Sequence, residues 1–586
     1  MSKITSFIKN IYYKDKEWNK KHKKLNKALW IIAMILLVIA VIEIIILHYN
    51  EIIRKINESR FAPEISGINM SADDKIRELD LICEILNENM PSLGMFKEKY
   101  GIDFNENYEK YKALILQTKD DFDYYCTLKG IFGDIPSAHT DLYYPDYNNY
   151  LNHYGYNYDK FLAAWNLKNY SDYWYDLIDK KCMECYDENY LIFNYYSSDG
   201  KYFFNPDMGI ADQTDEYLNS YLTAVNGVSV DEYVKENVMY FGICYDNINN
   251  KVYRPRIMFN SISEYGRKVT VTICTSDGSQ TERELYISCA DDMIIYHGCA
   301  FDERYIRDEE AAGSENNGVP YYFFEDKEND LTYAWISSVD YGFGETIKKI
   351  LSEIKTDNII LDLRDNGGGT AYYFYEYLYT PLFNNDYEYD NHYYISETPF
   401  NKNNIYKINL IYDIYIAVTS PINYYDGNDF DVFDDKYKIV EATNHFKCTG
   451  GNNRSQKIYA LVGNNTASAA DGFAAIIKQG TDAVLIGEST AGEGMGSSYV
   501  SVTLPESRLA FSYYPALSLN PDGSNNSVFG TEPDHYVPYG NIEDLTLRNN
   551  MINDHGNGYA YEYPNRIMWD NQLKFAAELT MENEKS

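Results

Sequence analysis

The stretch from Tyr459 to Gly496 constrains the fold of this chain more than any other. It reads YALVGNNTASAADGFAAIIKQGTDAVLIGESTAGEGMG, and its apolar runs predict a strand at Tyr459–Val462, a helix starting at Thr466 and a strand at Ala483–Ile486. Ser468 stands at the predicted turn into the helix, where free N–H groups and the positive end of the helix dipole lie. Most serines at such positions are helix N-caps, but the same geometry suits a nucleophile whose oxyanion those N–H groups would hold.

Two further stretches carry residues that are often found in active sites, three consecutive glycines in one and a histidine in the other. Asn358–Gly369 reads NIILDLRDNGGG, a buried type of strand that ends in three glycines, which allow a sharp turn or a close approach of the backbone to a ligand. Gly133–Leu142 reads GDIPSAHTDL and contains His139. Taken singly, the glycines indicate an ordinary strand-end turn and His139 an ordinary loop histidine.

Four motifs in a fixed order resemble those of the tail-specific, or C-terminal processing, serine proteases, peptidase family S41. They are DLRDNGG at Asp362–Gly368, TASA at Thr466–Ala469, GESTAG at Gly487–Gly492 and GTEPD at Gly530–Asp534. The resemblance covers roughly residues 70–545. It implies a serine-type endopeptidase (a hydrolase) that cleaves extended polypeptides, an α/β core of the ClpP/crotonase-like type, and neither a metal nor an organic cofactor.

The resemblance also indicates which group activates the serine, since a serine hydroxyl is a weak nucleophile without an adjacent base. One branch of the family places a lysine 25 residues after the serine, but here that position is Glu493, and no lysine occurs between Lys478 and Lys574. The tricorn-core-like branch uses a histidine in a D-x-H-T/S element. His139, followed by Thr140, matches that element and is the predicted base.

The acid that supports the histidine is less well defined. The tricorn-core-like branch has a glutamate three residues before the closing glycine, where this chain has Ser527. Glu493 is the first candidate to replace it, because it lies on the loop that carries the catalytic lysine in the other branch. Glu532 and Asp534 are alternatives, and a Ser–His pair held by backbone or hydroxyl groups is the remaining possibility.

The oxyanion hole is also predicted from the resemblance, with N–H groups of Gly367 or Gly368 and of Ala469 as donors. Asp362 and Arg364 are expected to have structural roles at the strand end.

The chain pattern predicts an α+β multidomain protein. Ile76, Leu79, Ile82 and Leu86 recur at helical spacing at the start of a helical subdomain, which is expected to carry His139. The segment YLTAVNGVSV, beginning at Tyr221, resembles part of a PDZ domain, a module that binds extended peptides at a sheet edge. The predicted regions are a helical subdomain at 71–190, a PDZ-like β domain at 195–300, an α/β protease core at 325–545 and a tail at 546–586.

Within the core, strands and helices alternate, as is typical of an α/β layer. Residues 385–409 are rich in Asn and Tyr and are predicted to be a loop or insertion, and the tail shows no motif. The predicted elements are strands at Leu331–Val339, Ile359–Leu363 and Leu410–Val418, a helix at Gly344–Ile354 and a terminal helix at Leu573–Leu579.

The N-terminal 70 residues predict a membrane anchor. Residues 28–47 form an apolar run of 20 residues, long enough to span a bilayer, with Glu43 near one end. Residues 1–27 hold nine lysines and should stay in the cytoplasm. No small-x-small cleavage site follows, so the run is expected to remain as a single-pass anchor in the cell membrane, with 48–70 as a stalk and the catalytic body outside.

Charge and cysteine usage exclude other classes of protein. The net charge is −36, and since residues 1–27 carry +7, the rest of the chain carries −43. Such an acidic body argues against nucleic-acid binding, which needs a basic surface. Cys182 and Cys185 form a lone C-x-x-C without a second pair at zinc spacing, so no metal site is expected, and the pairing of the nine cysteines stays open.

Two readings compete with an active peptidase. A catalytically weak or inactive relative would serve as an extracytoplasmic peptide-binding scaffold, a reading motivated by Ser527. A scaffold, however, would need neither Ser468 nor His139. A lipase or esterase is the weaker alternative, because no G-x-S-x-G string surrounds Ser468.

Overall fold

A computed structural model describes most of the chain between residues 66 and 583. Undescribed residues are 1–65, 138, 146–166, 186–189, 206–216, 237–243, 261–267, 288–319, 341, 397, 399–424, 427–438, 452–455, 497–498, 556 and 584–586. The predicted basic segment, the anchor at 28–47, most of the stalk and the predicted strand at Leu410–Val418 therefore lie outside the described residues. Among the helices that are described, none has both the length and the apolar character needed to cross a bilayer.

The region after residue 70 is helical, as its apolar spacing predicts. Its first helix, α1 (Ala72–Asn89), begins with a capping box between Ser71 and Asp74 and buries Leu79, Ile82 and Leu86. The elements that follow are a 3₁₀ turn at Leu93–Met95, α2 (Phe96–Tyr100), α3 (Tyr108–Gln117), α4 (Asp121–Gly133), β1 (Asp141–Leu142) and α5 (Leu167–Cys185).

The next region is a small β barrel. Its elements are β2 (Tyr190–Tyr196), β3 (Lys201–Phe204), β4 (Tyr221–Val225), β5 (Val228–Ser229), α6 (Val230–Glu236), β6 (Cys244–Asp246), β7 (Lys251–Tyr253), β8 (Arg256–Asn260), β9 (Lys268–Cys274) and β10 (Gln280–Ile287). The strand order is β3-β2-β8-β10-β9-β4-β5, and β3 also pairs with β4, so six strands close into a ring. The PDZ-like character of this region stays a prediction.

The α/β region follows. Its elements are β11 (Tyr321–Asp326), β12 (Leu331–Ile336), α7 (Gly344–Glu353), β13 (Asn358–Asp362), α8 (Ala371–Phe374), a π-helical turn (Tyr375–Tyr379), α9 (Thr380–Leu382), β14 (Tyr387–Ser396), β15 (Tyr425–Asp426), β16 (Ile439–Cys448), β17 (Lys457–Val462), α10 (Ala469–Gly480), β18 (Val484–Gly487), β19 (Val500–Thr503), β20 (Ala510–Tyr513), β21 (Ala516–Ser518), α11 (Asn526–Phe529) and β22 (His535–Tyr536).

A six-stranded sheet organises this region, in the order β11-β12-β13-β17-β18-β22. All neighbours are parallel except β11 and β12. Helix α10 buries Phe473, Ile476 and Ile477 on one face of the sheet. Because parallel strands end at a common edge, the turns after β13 and β17 lie side by side, which brings the three glycines next to Ser468.

The C-terminal segment covers the other face of the sheet. It forms four helices, α12 (Ile542–His555), α13 (Asn557–Tyr561), α14 (Tyr563–Trp569) and α15 (Asn571–Asn583). Helix α15 packs Leu573, Ala576 and Ala577 against Ile360 and Leu461 of the sheet. The predicted terminal helix is thus present, longer than expected, and forms a third layer.

The prediction of a loop or insertion at 385–409 is wrong for its first part. Strand β14 pairs along its length with β16 and at its C-terminal end with β21, in a separate four-stranded sheet. Tyrosine packs well on a pleated, half-buried surface, and Tyr389 and Tyr393 are buried here. The partner strands lie far away in sequence, so no local turn signal marked this strand.

Candidate active site

Ser468 occupies a strained turn between β17 and α10. Its φ of 51° and ψ of −129° fall in a region that residues with a Cβ rarely adopt and that recurs at functional sites. Helix α10 begins at Ala469, three residues later than predicted, so Ser468 is at the N-cap position. Its side chain makes no capping bond to the helix. The hydroxyl is therefore directed to a partner outside the helix.

Neighbouring backbone holds this turn from both sides. The Ser468 N–H donates to the carbonyl of Gly492 at 3.1 Å, and the Ala467 N–H donates to the carbonyl of Asn366 at 3.2 Å. A Cβ added to Gly368 would lie 2.6 Å from the carbonyl oxygen of Ala467 and 2.8 Å from the Cβ of Ser468. A side chain at position 368 would thus displace the turn that carries Ser468, which explains why a glycine is needed there.

The partner of the hydroxyl is His139, whose Nε2 lies 2.9 Å from Ser468 Oγ. The histidine comes from the loop between α4 and β1, 329 residues earlier in the chain. Strand β1 begins two residues later and pairs with β20 at Asp141–Ser512, which anchors the loop to the α/β region. The structure thus brings the predicted nucleophile and the predicted base into hydrogen-bond contact.

The imidazole of His139 contacts two aromatic rings. The ring of Tyr499 stacks on it with centroids 5.4 Å apart at 26°, and that of Tyr514 lies 5.8 Å away at 30°. Burial lowers the pKa of His139 from its usual 6.5 to about 4, because the charged imidazolium loses water. The ring is therefore neutral at neutral pH and can accept the serine proton at Nε2.

Glu493 contacts the histidine loop through its main chain. One carboxylate oxygen, Oε2, accepts the backbone N–H of His139 at 2.9 Å, and Oε1 accepts the hydroxyl of Ser137 at 2.6 Å. Glu493 is 4% exposed and has a φ of 62°, a conformation that fixes its direction at a backbone cost. Among the described residues, none forms a hydrogen bond with Nδ1 of His139. Glu493 thus positions the loop and not the ring.

The other candidate acids lie away from the histidine. Glu532 and Asp534 are exposed on the closing loop, where Asp534 accepts the N–H of Leu485 at 2.8 Å and lies 3.6 Å from Lys478. Ser527 is buried, and its hydroxyl accepts the N–H of Ser518 at 2.7 Å. Of the predicted acids, only Glu493 reaches the histidine loop.

The backbone N–H groups predicted to bind the oxyanion differ in whether they already donate a hydrogen bond. The N–H of Gly368 donates to Oδ1 of Asn366 at 3.0 Å, so it is satisfied within its own loop. The N–H groups of Gly367 and Ala469 have no acceptor among the described residues. A Cβ at Gly367 would meet no atom within 4 Å, so this glycine faces open space. Gly367 and Ala469 are the better placed pair to receive an oxyanion.

Sequence reasoning missed Asp471, a fully buried acid in the first turn of α10. It accepts hydrogen bonds from the hydroxyls of Thr490 and Thr531, the Nδ2 of Asn526 and the N–H of Gly494. Burial raises its pKa, while these donors lower it. Asp471 thereby joins helix α10 to the Gly-rich loop that carries Glu493. An aspartate inside the otherwise apolar run AADGFAAII was the available signal.

Part of the chain matches a known protein family in sequence comparison. Residues 330–537 match the sequence model of peptidase family S41. They form a peptidase family S41 domain. The resemblance predicted from the four motifs is thus confirmed for these residues. Ser468, Glu493 and the three glycines lie inside the S41 domain, whereas His139 lies outside it.

The solved structures that the chain matches share little sequence with it. Mature CPAF complexed with lactacystin is 13% identical, with 87% of this chain and 98% of that chain covered and a TM-score of 0.48. The photosystem II D1 C-terminal processing protease is 11% identical (79% and 93% covered, TM-score 0.32). The tricorn protease is 12% identical (88% and 37% covered, TM-score 0.30). No curated protein matches the chain.

A metal centre has no candidate in the described part of the chain, where no three His, Cys, Asp or Glu side chains converge.

Proposed function

We propose that the chain is a membrane-anchored, extracytoplasmic serine endopeptidase that cleaves extended polypeptides through Ser468, with His139 as the base. The observation that carries the proposal is the 2.9 Å contact between Ser468 Oγ and His139 Nε2, made by a serine in a strained strand–helix turn of an S41 domain. A structural serine would need neither the strained backbone nor a neutral imidazole as its partner.

The first chemical step follows from these atoms. As Ser468 Oγ attacks the scissile carbonyl carbon, Nε2 of His139 takes the hydroxyl proton, and the carbonyl oxygen becomes an oxyanion. The N–H groups of Ala469 and Gly367 would bind that oxyanion, with the dipole of α10 adding positive potential. The C–N bond then breaks as Nε2 returns the proton to the leaving amine, which leaves an acyl-enzyme.

The second step is hydrolysis of the acyl-enzyme. His139, neutral again, takes a proton from water as the water oxygen attacks the ester carbon, and the ester bond to Ser468 breaks with return of that proton. Glu493 supports both steps by fixing the backbone of the histidine loop. The stacked ring of Tyr499 and the tilted ring of Tyr514 limit rotation of the imidazole.

The anchor completes the proposal. Residues 28–47 would hold the protein in the cell membrane as a single-pass segment, with the lysine-rich N-terminus in the cytoplasm and the catalytic body outside. Protease shaving or cysteine accessibility on intact cells tests this arrangement. Protection of the body at 71–545 from an outside reagent would refute it.

A fluorophosphonate probe tests the catalytic part, because it labels activated serines only. The wild type should be labelled at Ser468 and should release new N-termini from an unfolded polypeptide, whereas Ser468→Ala should do neither. Ser524→Ala, which alters an exposed serine of the same domain, is the matched control.

The alternative function is a peptide-binding scaffold, which is favoured by the position of Glu493 on the main chain of His139 instead of its ring. A scaffold would bind unfolded polypeptide without labelling at Ser468.

A further inference from the structure

Four charged side chains form a buried cluster beneath the edge of the sheet. Arg364 donates to Asp362 at 2.9 and 2.7 Å and to Asp570 at 2.9 and 2.7 Å, two bidentate pairs from one guanidinium. Arg566 donates to Asp570 at 3.0 Å and lies 3.3 Å from Asp362. No member is more than 7% exposed. We call Asp362, Arg364, Arg566 and Asp570 the four-charge cluster.

Half of this cluster comes from the C-terminal helices. Arg566 belongs to α14, and Asp570 stands between α14 and α15, about 200 residues after the strand end that carries Asp362 and Arg364. Gln572 adds a further contact, because its Oε1 accepts from Arg364 at 2.9 Å while its Nε2 donates to the carbonyl of Val537. Asp362 and Arg364 therefore lack part of their ion-pair and hydrogen-bond partners until the C-terminal helices have folded against the sheet.

The strand end leads directly to the catalytic backbone. Two residues after Arg364, Asn366 uses its side-chain oxygen to hold the N–H of Gly368 and its carbonyl to hold the N–H of Ala467. Gly367 lies between Asn366 and Gly368, and it is a predicted oxyanion donor whose N–H has no acceptor among the described residues. A shift of Arg364 would therefore move both the glycine loop and the nucleophile turn.

The energetics favour a fixed position for Arg364. Removing one partner of a buried ion pair leaves an uncompensated charge, which is far more costly than exchanging the whole pair for neutral groups. Burial raises the pKa of Asp570, but the guanidiniums of Arg364 and Arg566 lower it more, to about 2, so the aspartate is charged throughout the working range of pH. With all four members present the cluster has no net charge, and loss of any single member leaves one buried charge without a counter-charge.

We infer that Asp570 is a positioning residue for the oxyanion hole, acting through Arg364, and that the active site is complete only after the C-terminal helices have docked. The inference rests on the proposed function, since it assigns Asp570 a task in the reaction of Ser468. It gives the tail at 546–586, in which the sequence shows no motif, a defined role in catalysis.

The test uses a charge-balanced double variant of the full chain, Arg566→Met with Asp570→Asn. It removes one positive and one negative charge, so the remaining Arg364–Asp362 pair stays neutral overall. Asparagine also keeps an oxygen at a position where the Asp570 carboxylate accepts the N–H of Leu573 at the start of α15. Asn571→Ala is the matched control, since Asn571 bonds to Pro538 and Gly540 and not to the cluster.

Two readouts are measured, kcat and KM for a peptide substrate and amide hydrogen exchange over 363–370. An oxyanion hole acts on the transition state, and loss of one donor costs about 10²–10³-fold in kcat. We expect the double variant to lose about 10²-fold in kcat with KM within about threefold of wild type, and to exchange faster at 363–370. Asn571→Ala should keep kcat, KM and the exchange rate at 363–370 near wild type.

A milder change, Gln572→Leu, removes one acceptor of Arg364 without touching a charge and guards against misfolding of the double variant. It should lower kcat several-fold with KM unchanged. Wild-type kcat in a folded double variant, or equal losses in Asn571→Ala, would overturn the inference. If the wild type cleaves nothing while the double variant still loosens 363–370, the proposed function fails and the positioning of the loop by Asp570 stands.

Discussion

The two halves of the candidate site are held in different ways. Ser468 is fixed by backbone that is close in space and belongs to one sheet edge, with a strained conformation, a glycine against its Cβ and main-chain bonds to Asn366 and Gly492. His139 is fixed by side chains across the junction between the helical region and the S41 domain, chiefly Glu493 and two tyrosines. Ser468, the proposed nucleophile, is therefore held by the fold of the S41 domain itself, whereas His139, the proposed base, depends on packing of the helical region against that domain.

The largest expected effect is on the nucleophile side. Ser468→Ala should abolish peptidase activity, a loss of about 10⁴-fold or more, because no other hydroxyl bonds to Nε2 of His139 among the described residues. The melting temperature should stay within a few degrees or rise, since alanine keeps the packing and the hydroxyl makes no capping bond. Turnover equal to wild type would show that the nucleophile is another residue.

Replacing His139 should lower turnover nearly as much as replacing Ser468 does, but it should leave the turn at 463–468 unchanged. We expect His139→Ala to lose on the order of 10⁴-fold in kcat, with slow fluorophosphonate labelling of Ser468 that rises at high pH as hydroxide replaces the base. Comparison with Ser468→Ala by hydrogen exchange should find the turn at 463–468 equally protected in both variants. Unchanged turnover would contradict the assignment and point to a different base.

Glu493→Gln sharpens the comparison because it separates positioning from charge. If the Glu493 carboxylate stabilised the imidazolium by bonding to the ring, its neutralisation would lower kcat by about 10⁴-fold. The observed bonds run to the backbone of His139 and to Ser137, so a loss of about 10²-fold from misplacement is expected. Glu532→Gln and Asp534→Asn, on the exposed closing loop, are the controls and should be near wild type. A 10⁴-fold loss would mean that Glu493 reaches the ring during the reaction.

The smallest expected effect is that of mildly acidic pH. A general base must be neutral, so activity falls as pH drops through the pKa of His139. With that pKa lowered to about 4 by burial, kcat/KM should change by less than twofold between pH 7 and pH 5. With a histidine at its usual pKa of about 6.5, kcat/KM would fall roughly 25-fold over the same interval. Such a loss, measured on a substrate without titrating groups, would show that the loop opens and hydrates the ring.

The sequence was sufficient for the nucleophile half of the site. Strands Tyr459–Val462 and Ile359–Leu363 and the intervening turns follow from local apolar runs and glycines, and parallel pairing then places the turns together. The start of α10 was predicted at Thr466, three residues too early, because the polar turn was expected to end at Asn465. Thr466 belongs to the turn instead. Its hydroxyl bonds to the N–H of Gly463 and to the carbonyl of Leu363.

The features that sequence reasoning missed depend on partners that are distant in the chain. The contact of Glu493 with the backbone of His139 spans 354 residues, and nothing in the local pattern distinguishes it from a contact with the ring. Asp570 reads as an ordinary exposed aspartate until Arg364 is placed beside it. The strand at Tyr387–Ser396 was mistaken for a loop because its partners, β16 and β21, follow after long intervals.

The closed ring of the β barrel has a consequence for peptide recognition. Strands β3 and β4 meet at Tyr202–Leu222 and Phe203–Tyr221, whereas β9 and β10 pair continuously from Gln280 to Tyr286. Strands β8 and β10 meet in an equally short seam, at Tyr286–Asn260 and Ile287–Phe259. The β3–β4 seam should open locally at less cost than the β9–β10 pairing, and its amides should exchange with solvent before those of β9. A peptide that added itself as a strand at this seam would first have to separate β3 from β4. Its apparent affinity would be lowered in proportion to the small fraction of open barrels, and shortening the seam further would strengthen binding.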